Sequence, residues 1–244
     1  GFELGAVDYI TKPISPPVVR ARVKTHIALH DQNRELGRQV MEQTRTINDT
    51  RLKIIQRLGR AAEYKDDNTG MHVIRMSHYS RVLGKAAGMS EAMADMLLDA
   101  SPMHDIGKIG IPDRILQKTD ALTDDEWKIM HTHTHMGTKI IGDDDSELLK
   151  MARQIAVSHH ECWDGSGYPM GLSGEDIPLV GRIVAIADVF DALTSNRPYK
   201  EAWTVEDSIA HLQNQAGKQF DPKLIPLFID NLEKILALMD QFTN

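Results

Sequence analysis

The chain has 244 residues, 41% of them hydrophobic, and its 28 Lys and Arg against 35 Asp and Glu leave a net charge of −7. That suits one large domain plus a smaller piece, or two small domains, with enough apolar side chains for a sizeable core. The acidic balance argues against binding nucleic-acid polymers, and the single cysteine, Cys162, excludes an intrachain disulfide and a thiolate zinc cluster.

With no apolar run of about 18 residues and no signal-like start, the expectation is a cytoplasmic chain with no membrane partner. Residues 1–17 carry two glycines, a β-prone run of Tyr9, Ile10 and Thr11, and Lys12-Pro13. They read as a strand entering a loop, too short to be a domain. Residues 15–60 hold ten Lys and Arg against four acids, so this stretch is +6 and the remainder −13. Val40, Ile47 and Ile54 fall at heptad position a and Leu29 and Leu36 at d, whereas Asn33 takes an a position and Gln43 and Thr50 take d positions. A long helix is predicted. It would either form a parallel coiled coil that makes a homodimer, or pack its apolar stripe on its own domain.

From Ile55 onward the pattern is helical. Helices are predicted over 57–65, 72–87 and 90–100, the last with Ser90 as N-cap. Thr123-Asp-Asp-Glu126 is a capping box for a helix through His131. Residues 147–159 repeat at 3.6, and 177–193 are apolar on most sides, which marks a buried helix. Thr204-Val-Glu-Asp207 and Asp221-Pro222 each start a helix, and 228–239 form the last. The body is all-α.

Eight of the 11 histidines lie between His72 and His160. His72, the pair His104-Asp105, His133, the pair His159-His160, and Asp188 supply imidazoles and carboxylates from several segments. Neighbours on a helix diverge by about 100°, so adjacent pairs serve a cluster rather than a point. Asp188 sits in an otherwise apolar helix, where a carboxylate is costly unless paired or bound to metal. Two ions about 3.5–4 Å apart are the usual clamp for phosphoester hydrolysis. Without thiolates, such a set favours iron, manganese or nickel over structural zinc. His26, His30, His78, His131, His135 and His211 read as ordinary core or surface residues.

His104-Asp105-Ile-Gly-Lys-Ile-Gly-Ile-Pro-Asp113 and His159-His160-Glu-Cys-Trp-Asp-Gly-Ser-Gly-Tyr-Pro169 resemble the two signature segments of HD-GYP domain proteins. Asp188-Val-Phe-Asp-Ala-Leu-Thr-Ser-Asn-Arg-Pro-Tyr-Lys200 resembles a third. The resemblance implies an HD-type helical bundle of the metal-dependent phosphohydrolase superfamily, whose characterised members hydrolyse cyclic di-GMP to pGpG or GMP. It implies a first divalent ion on His72, His104, Asp105 and Asp188, with Asp105 bridging to a second on His133, His159 and His160. Lys108, one turn after His104, would donate to phosphate or to the leaving oxygen. Gly167, Tyr168 and Pro169 would border the substrate pocket and could dock diguanylate cyclase domains. Trp163 would stack on guanine or pack in the core, and Arg197 and Lys200 would grip phosphate or base. Where a family subset has a third-metal glutamate, this chain has Asn68, so two ions are expected. Residues 1–28 resemble the end of a response-regulator receiver domain, followed by a linker helix over 29–54 and the phosphohydrolase domain over 55–244. Alternatives are a 3′,3′-cyclic GMP-AMP phosphodiesterase and a weakly active docking module for diguanylate cyclases.

Overall fold

A computed structural model describes residues 3, 5, 7–10, 12–65, 71–195 and 201–242. Two units divide the chain, residues 1–51 and 52–244. The described residues contain helices and turns but no strand, with one isolated bridge between Ala216 and Phe220. Tyr9 and Ile10 therefore lack the extended pairing their composition suggests, and Thr11 lies outside the described residues. A strand needs a neighbour to take up its ladder hydrogen bonds, and none is present among those residues.

In the first unit, helix α1 (Pro16–Tyr64) begins where Pro16 and Pro17 occupy its first turn. Arg22 donates to Asp8 Oδ1 at 3.1 Å and to the Tyr9 carbonyl at 2.8 Å, tying the preceding segment to the helix. Leu29, Leu36, Val40 and Ile47 are all exposed along this part of α1.

The second unit is a bundle centred on α2 (Met71–Ala86), which packs against α3 (Glu91–Ala100), α8 (Leu179–Thr194), α10 (Leu224–Asp230) and α11 (Leu232–Gln241). α7 (Glu147–Ser158) lies against α3, α8 and α6 (His133–Ile141). The core joins Met76, Tyr79 and Leu83 of α2 to Ile155, Ile183, Phe190 and Phe228. Burying each such side chain contributes roughly 1.5–3 kcal/mol. A smaller cluster of Ile111, Ile115 and Leu116, on and beside α4 (Asp113–Leu116), packs with Ile129 and Met136.

Helix starts follow local chemistry. Ser90 accepts from Met93 N, and Thr204 accepts from Asp207 N to begin α9 (Val205–Asn214). Thr123 and Glu126 close a full capping box on α5 (Asp124–His131). Three predicted boundaries shift. Pro178 stands as N-cap of α8, so that helix starts at Leu179. After Asp221-Pro222 the helix begins only at Leu224, Asp221 Oδ1 first accepting from Lys223 N at 2.8 Å. The run predicted over 228–239 is broken at Asn231, whose side chain donates to the Leu227 carbonyl at 3.0 Å and caps α10 locally. No helix among the described residues is long and apolar enough to cross a membrane.

Candidate metal centre

Local structure puts the imidazoles at helix ends. His72 is the second residue of α2, and His133 opens α6. His159 is the C-cap of α7. His104 follows the 3₁₀ turn Ser101–Met103, and Asp105 precedes another, Ile106–Gly110. The adjacent pairs thus lie in turns rather than inside helices as expected, and turns let both members face one cluster. Gly107 permits the close approach between the second 3₁₀ turn and α6: a Cβ there would run into the His133 carbonyl oxygen.

Two groups of ligand atoms form, each within 4.8 Å: His72, His104 and Asp188, and Asp105, His133, His159 and His160. Asp188 Oδ1 lies 3.0 Å from His72 Nε2 and 4.0 Å from His104 Nε2. Asp105 spans the groups. Its Oδ2 is 3.2 Å from His104 Nε2, while its Oδ1 is 3.3 Å from His133 Nε2 and 3.5 Å from His159 Nε2. Lys108 Nζ sits on the same Oδ2 at 2.9 Å. The α-helical face expected to align Lys108 with His104 is not formed; the 3₁₀ turn places its ammonium on Asp105 instead.

The far side of each ring is tethered. Nδ1 of His104 meets the Ser101 carbonyl at 3.1 Å, that of His133 the Met130 carbonyl at 2.8 Å, and that of His159 the Ile155 carbonyl at 3.0 Å. His72 Nδ1 meets Asp191 Oδ2 at 2.7 Å. A carbonyl or carboxylate can only accept, so Nδ1 donates and each neutral ring turns an Nε2 lone pair inward. Nε2 of His104, His133 and His159 and Oδ1 of Asp105 are buried with no hydrogen-bond partner among the described residues. Leaving such an atom unsatisfied costs about 1–3 kcal/mol. Acceptors facing acceptors at roughly 3 Å is the spacing of atoms around a shared cation with ligand bonds of about 2.1 Å. The residues therefore fit divalent metal ions.

The field draws positive charge to the first group, where a bound ion would take the place of a proton on His72, and keeps the rings of the second group neutral. Burial opposes charge on His72, yet Asp188 and Asp191 together outweigh it and raise its pKa well above the ordinary imidazole value. Burial likewise opposes ionisation of Asp188, but His72 and His104 hold its carboxyl far below the usual range. His159 and His160 are pushed down by burial and so favour the neutral, metal-binding form.

Tyr168 of the Gly167-Tyr168-Pro169 loop stacks on His160 with ring centroids 4.8 Å apart and on His131 at 3.7 Å. The Tyr168–Pro169 peptide is cis. Buried Glu161 anchors the loop, accepting from Met170 N at 2.7 Å and Leu172 N at 2.9 Å. Trp163 lies against the Arg182 guanidinium at 5.8 Å. Arg197, Lys200 and Asn68 fall outside the described residues.

Sequence reasoning missed three neighbours. Asp191 is fully buried and joins His72 to Arg75, whose Nε donates to it at 2.7 Å. His131, read as ordinary, carries the Tyr168 ring. Glu63 is buried beside His72. Asp191 had a signal of its own, since a second carboxylate one turn after Asp188 in an apolar helix is equally costly without a partner.

Among known proteins, the chain is 38% identical over 249 residues to the "Cyclic di-GMP phosphodiesterase response regulator RpfG" of Xanthomonas campestris, covering 99% of this chain and 66% of that protein. It is 36% identical over 246 residues to a "Cyclic di-GMP phosphodiesterase" of Thermotoga maritima, covering 95% of this chain and 67% of that protein. It is 43% identical over 192 residues to the "3'3'-cGAMP-specific phosphodiesterase 2" of Vibrio cholerae, covering 79% of this chain. The chain spans less than two thirds of the length of the Xanthomonas protein at 66% and of the Vibrio protein at 37%. The fold matches a crystal structure of a cyclic GMP-AMP specific phosphodiesterase of Vibrio cholerae with TM-score 0.57 and 19% identity, covering 75% of this chain and 50% of that one. A second match, an HD-GYP-type protein from Bdellovibrio bacteriovorus, has TM-score 0.53 and 20% identity over 76% of this chain and 62% of the other. Residues 40–224, which hold every histidine and carboxylate of both ligand groups, match the family described as HD domain, and the chain belongs to that family.

Proposed function

We propose that the chain is a metal-dependent phosphodiesterase of the HD-GYP branch that hydrolyses cyclic di-GMP to pGpG or GMP. The observation that carries this reading is Asp105 facing both ligand groups, one oxygen to each, amid buried acceptors that lack partners among the described residues. Relatives named for cyclic di-GMP hydrolysis support the substrate. His72, His104, Asp105 and Asp188 would hold one ion, and Asp105, His133, His159 and His160 the other, iron or manganese being preferred and nickel acceptable to the same donors. When bound, the pair supplies Lewis acidity to the phosphodiester and a water ionised at neutral pH.

The protein's own groups do the rest. Lys108, held at the cluster by Asp105, turns its ammonium to a phosphate oxygen and to charge developing on the leaving oxygen. Tyr168 offers a hydroxyl and a ring edge beside His160, on a loop that Glu161 keeps in place. Arg197 and Lys200 supply further phosphate or base contacts. Outside 15–60 the chain carries a charge of −13, so attraction of the dianionic substrate is local to this site.

The same chemistry on 3′,3′-cyclic GMP-AMP is the second reading, favoured by the 43% identity to a relative named for that substrate. Residues 1–28 are read as the end of a receiver domain, 29–54 as a linker helix and 55–244 as the catalytic domain of a cytoplasmic signalling protein. The exposed Leu29, Leu36, Val40 and Ile47 suit a homodimer through that helix, and the Gly-Tyr-Pro loop suits a diguanylate cyclase partner. One experiment tests the core of this: prepare the protein under low oxygen, count its metals, and follow both cyclic dinucleotides by chromatography. Two ions per chain and consumption of cyclic di-GMP are expected. A fully loaded protein that cleaves neither dinucleotide would overturn the reading.

A further inference from the structure

The last turns of α1 bring a carboxylate to the metal centre from outside both ligand groups. Ile55, Gly59, Ala62 and Glu63 form the buried face of the helix there, at i, i+4, i+7 and i+8. Gly59 matters because a Cβ at that position would meet the Pro102 carbonyl oxygen. The helix thus lies directly on the Ser101–Met103 turn that presents His104. This contact carries Glu63 inward until it is 3% exposed. Its Oε1 stands 3.5 Å from His72 Nε2, and its Oε2 is buried with no hydrogen-bond partner among the described residues.

A buried carboxylate oxygen without a partner is costly, and no hydrogen bond from the described residues offsets the cost. The oxygens of Glu63 stand outside the set of ligand atoms that lie within 4.8 Å of one another. An ion held by His72, His104 and Asp188, with Asp105 Oδ2 nearby, still has room for water in the six-coordinate shell that iron or manganese takes. Resting on the two-ion reading above, we propose that Glu63 is a positioning residue of the first ion. Its Oε2 accepts the hydrogen bond of a water on that ion, and its negative charge strengthens the ion's binding. Such outer partners typically contribute 10–100-fold to metal affinity.

The test is a competition titration of the full chain, stripped of metal, with Mn²⁺ and a fluorescent chelator. Glu63→Gln keeps the shape and removes the charge. It should weaken one of two sites by about 10–100-fold and leave the melting temperature of the metal-free protein equal or higher. In a His72→Ala background the same change should cause no further loss, because the ion it serves is already compromised. Binding within threefold of the parent at both sites, or an undiminished loss in the His72→Ala background, overturns the role of Glu63. If the parent itself takes up no Mn²⁺, the two-ion reading falls first and this inference falls with it.

Discussion

Asp191 shows how a single side chain decides the state of another. It is 0% exposed, holds the His72 ring by Nδ1, and accepts from Arg75 Nε at 2.7 Å and Nη2 at 2.9 Å. Removing one partner of a buried ion pair strands the other charge, which costs about 3–5 kcal/mol. Asp191→Asn should therefore lower the unfolding free energy measured by urea denaturation by about 3–5 kcal/mol, and His72 should bind metal less well. At the ligands themselves, His104→Ala or Asp105→Ala should abolish turnover and lower the metal content, measured by elemental analysis of the purified variant. Asp105→Ala is expected to be the more severe, since that residue faces both groups. Lys108→Ala should keep its metals and slow the chemical step; an unchanged kcat would remove it from the mechanism.

At the scale of elements, the capping chemistry was readable in advance. Thr123-Asp-Asp-Glu126 announces a helix start, and α5 begins there with both reciprocal hydrogen bonds made. Thr123→Ala should destabilise α5 by about 1 kcal/mol, seen as faster amide exchange in its first turn. The Glu126 carboxyl is held below its ordinary value, first by the Lys118 ammonium and then by the Thr123 backbone N–H. The cap is therefore at full strength above the unfolded glutamate pKa of about 4.3. It is lost as pH falls through the depressed folded value, so exchange in α5 should quicken there before the rest of the bundle unfolds. What the local pattern concealed was the interruption at Asn231 and the turn placement of the His-Asp and His-His pairs. Both depend on side-chain hydrogen bonds and backbone contacts that periodicity does not encode.

At the scale of the molecule, every member of both ligand groups lies in the second unit, residues 52–244. A chain beginning at Leu52 should bind the same number of metals as the full chain. Chelation should also lower the melting temperature of either form, because ligands that bind only the folded state stabilise it, by about 2.7 kcal/mol when present at 100 times Kd. An unchanged melting temperature on metal removal would contradict the cluster geometry.

The sequence alone established an all-α body, the helix starts at Ser90, Thr123 and Thr204, and the histidines and aspartates that the fold gathers. It could do so because caps act within one turn and because adjacent His-Asp and His-His pairs are chemically conspicuous. The tertiary structure alone decided that Glu63 and Asp191 flank His72 and that His131 supports Tyr168, and it turned one oxygen of Asp105, the bridging residue the family resemblance implies, to each group. Those relations join residues as far apart as His72 and Asp191, 119 positions along the chain. Which distant helices share a face depends on how the whole core packs, and no local run of residues carries that information.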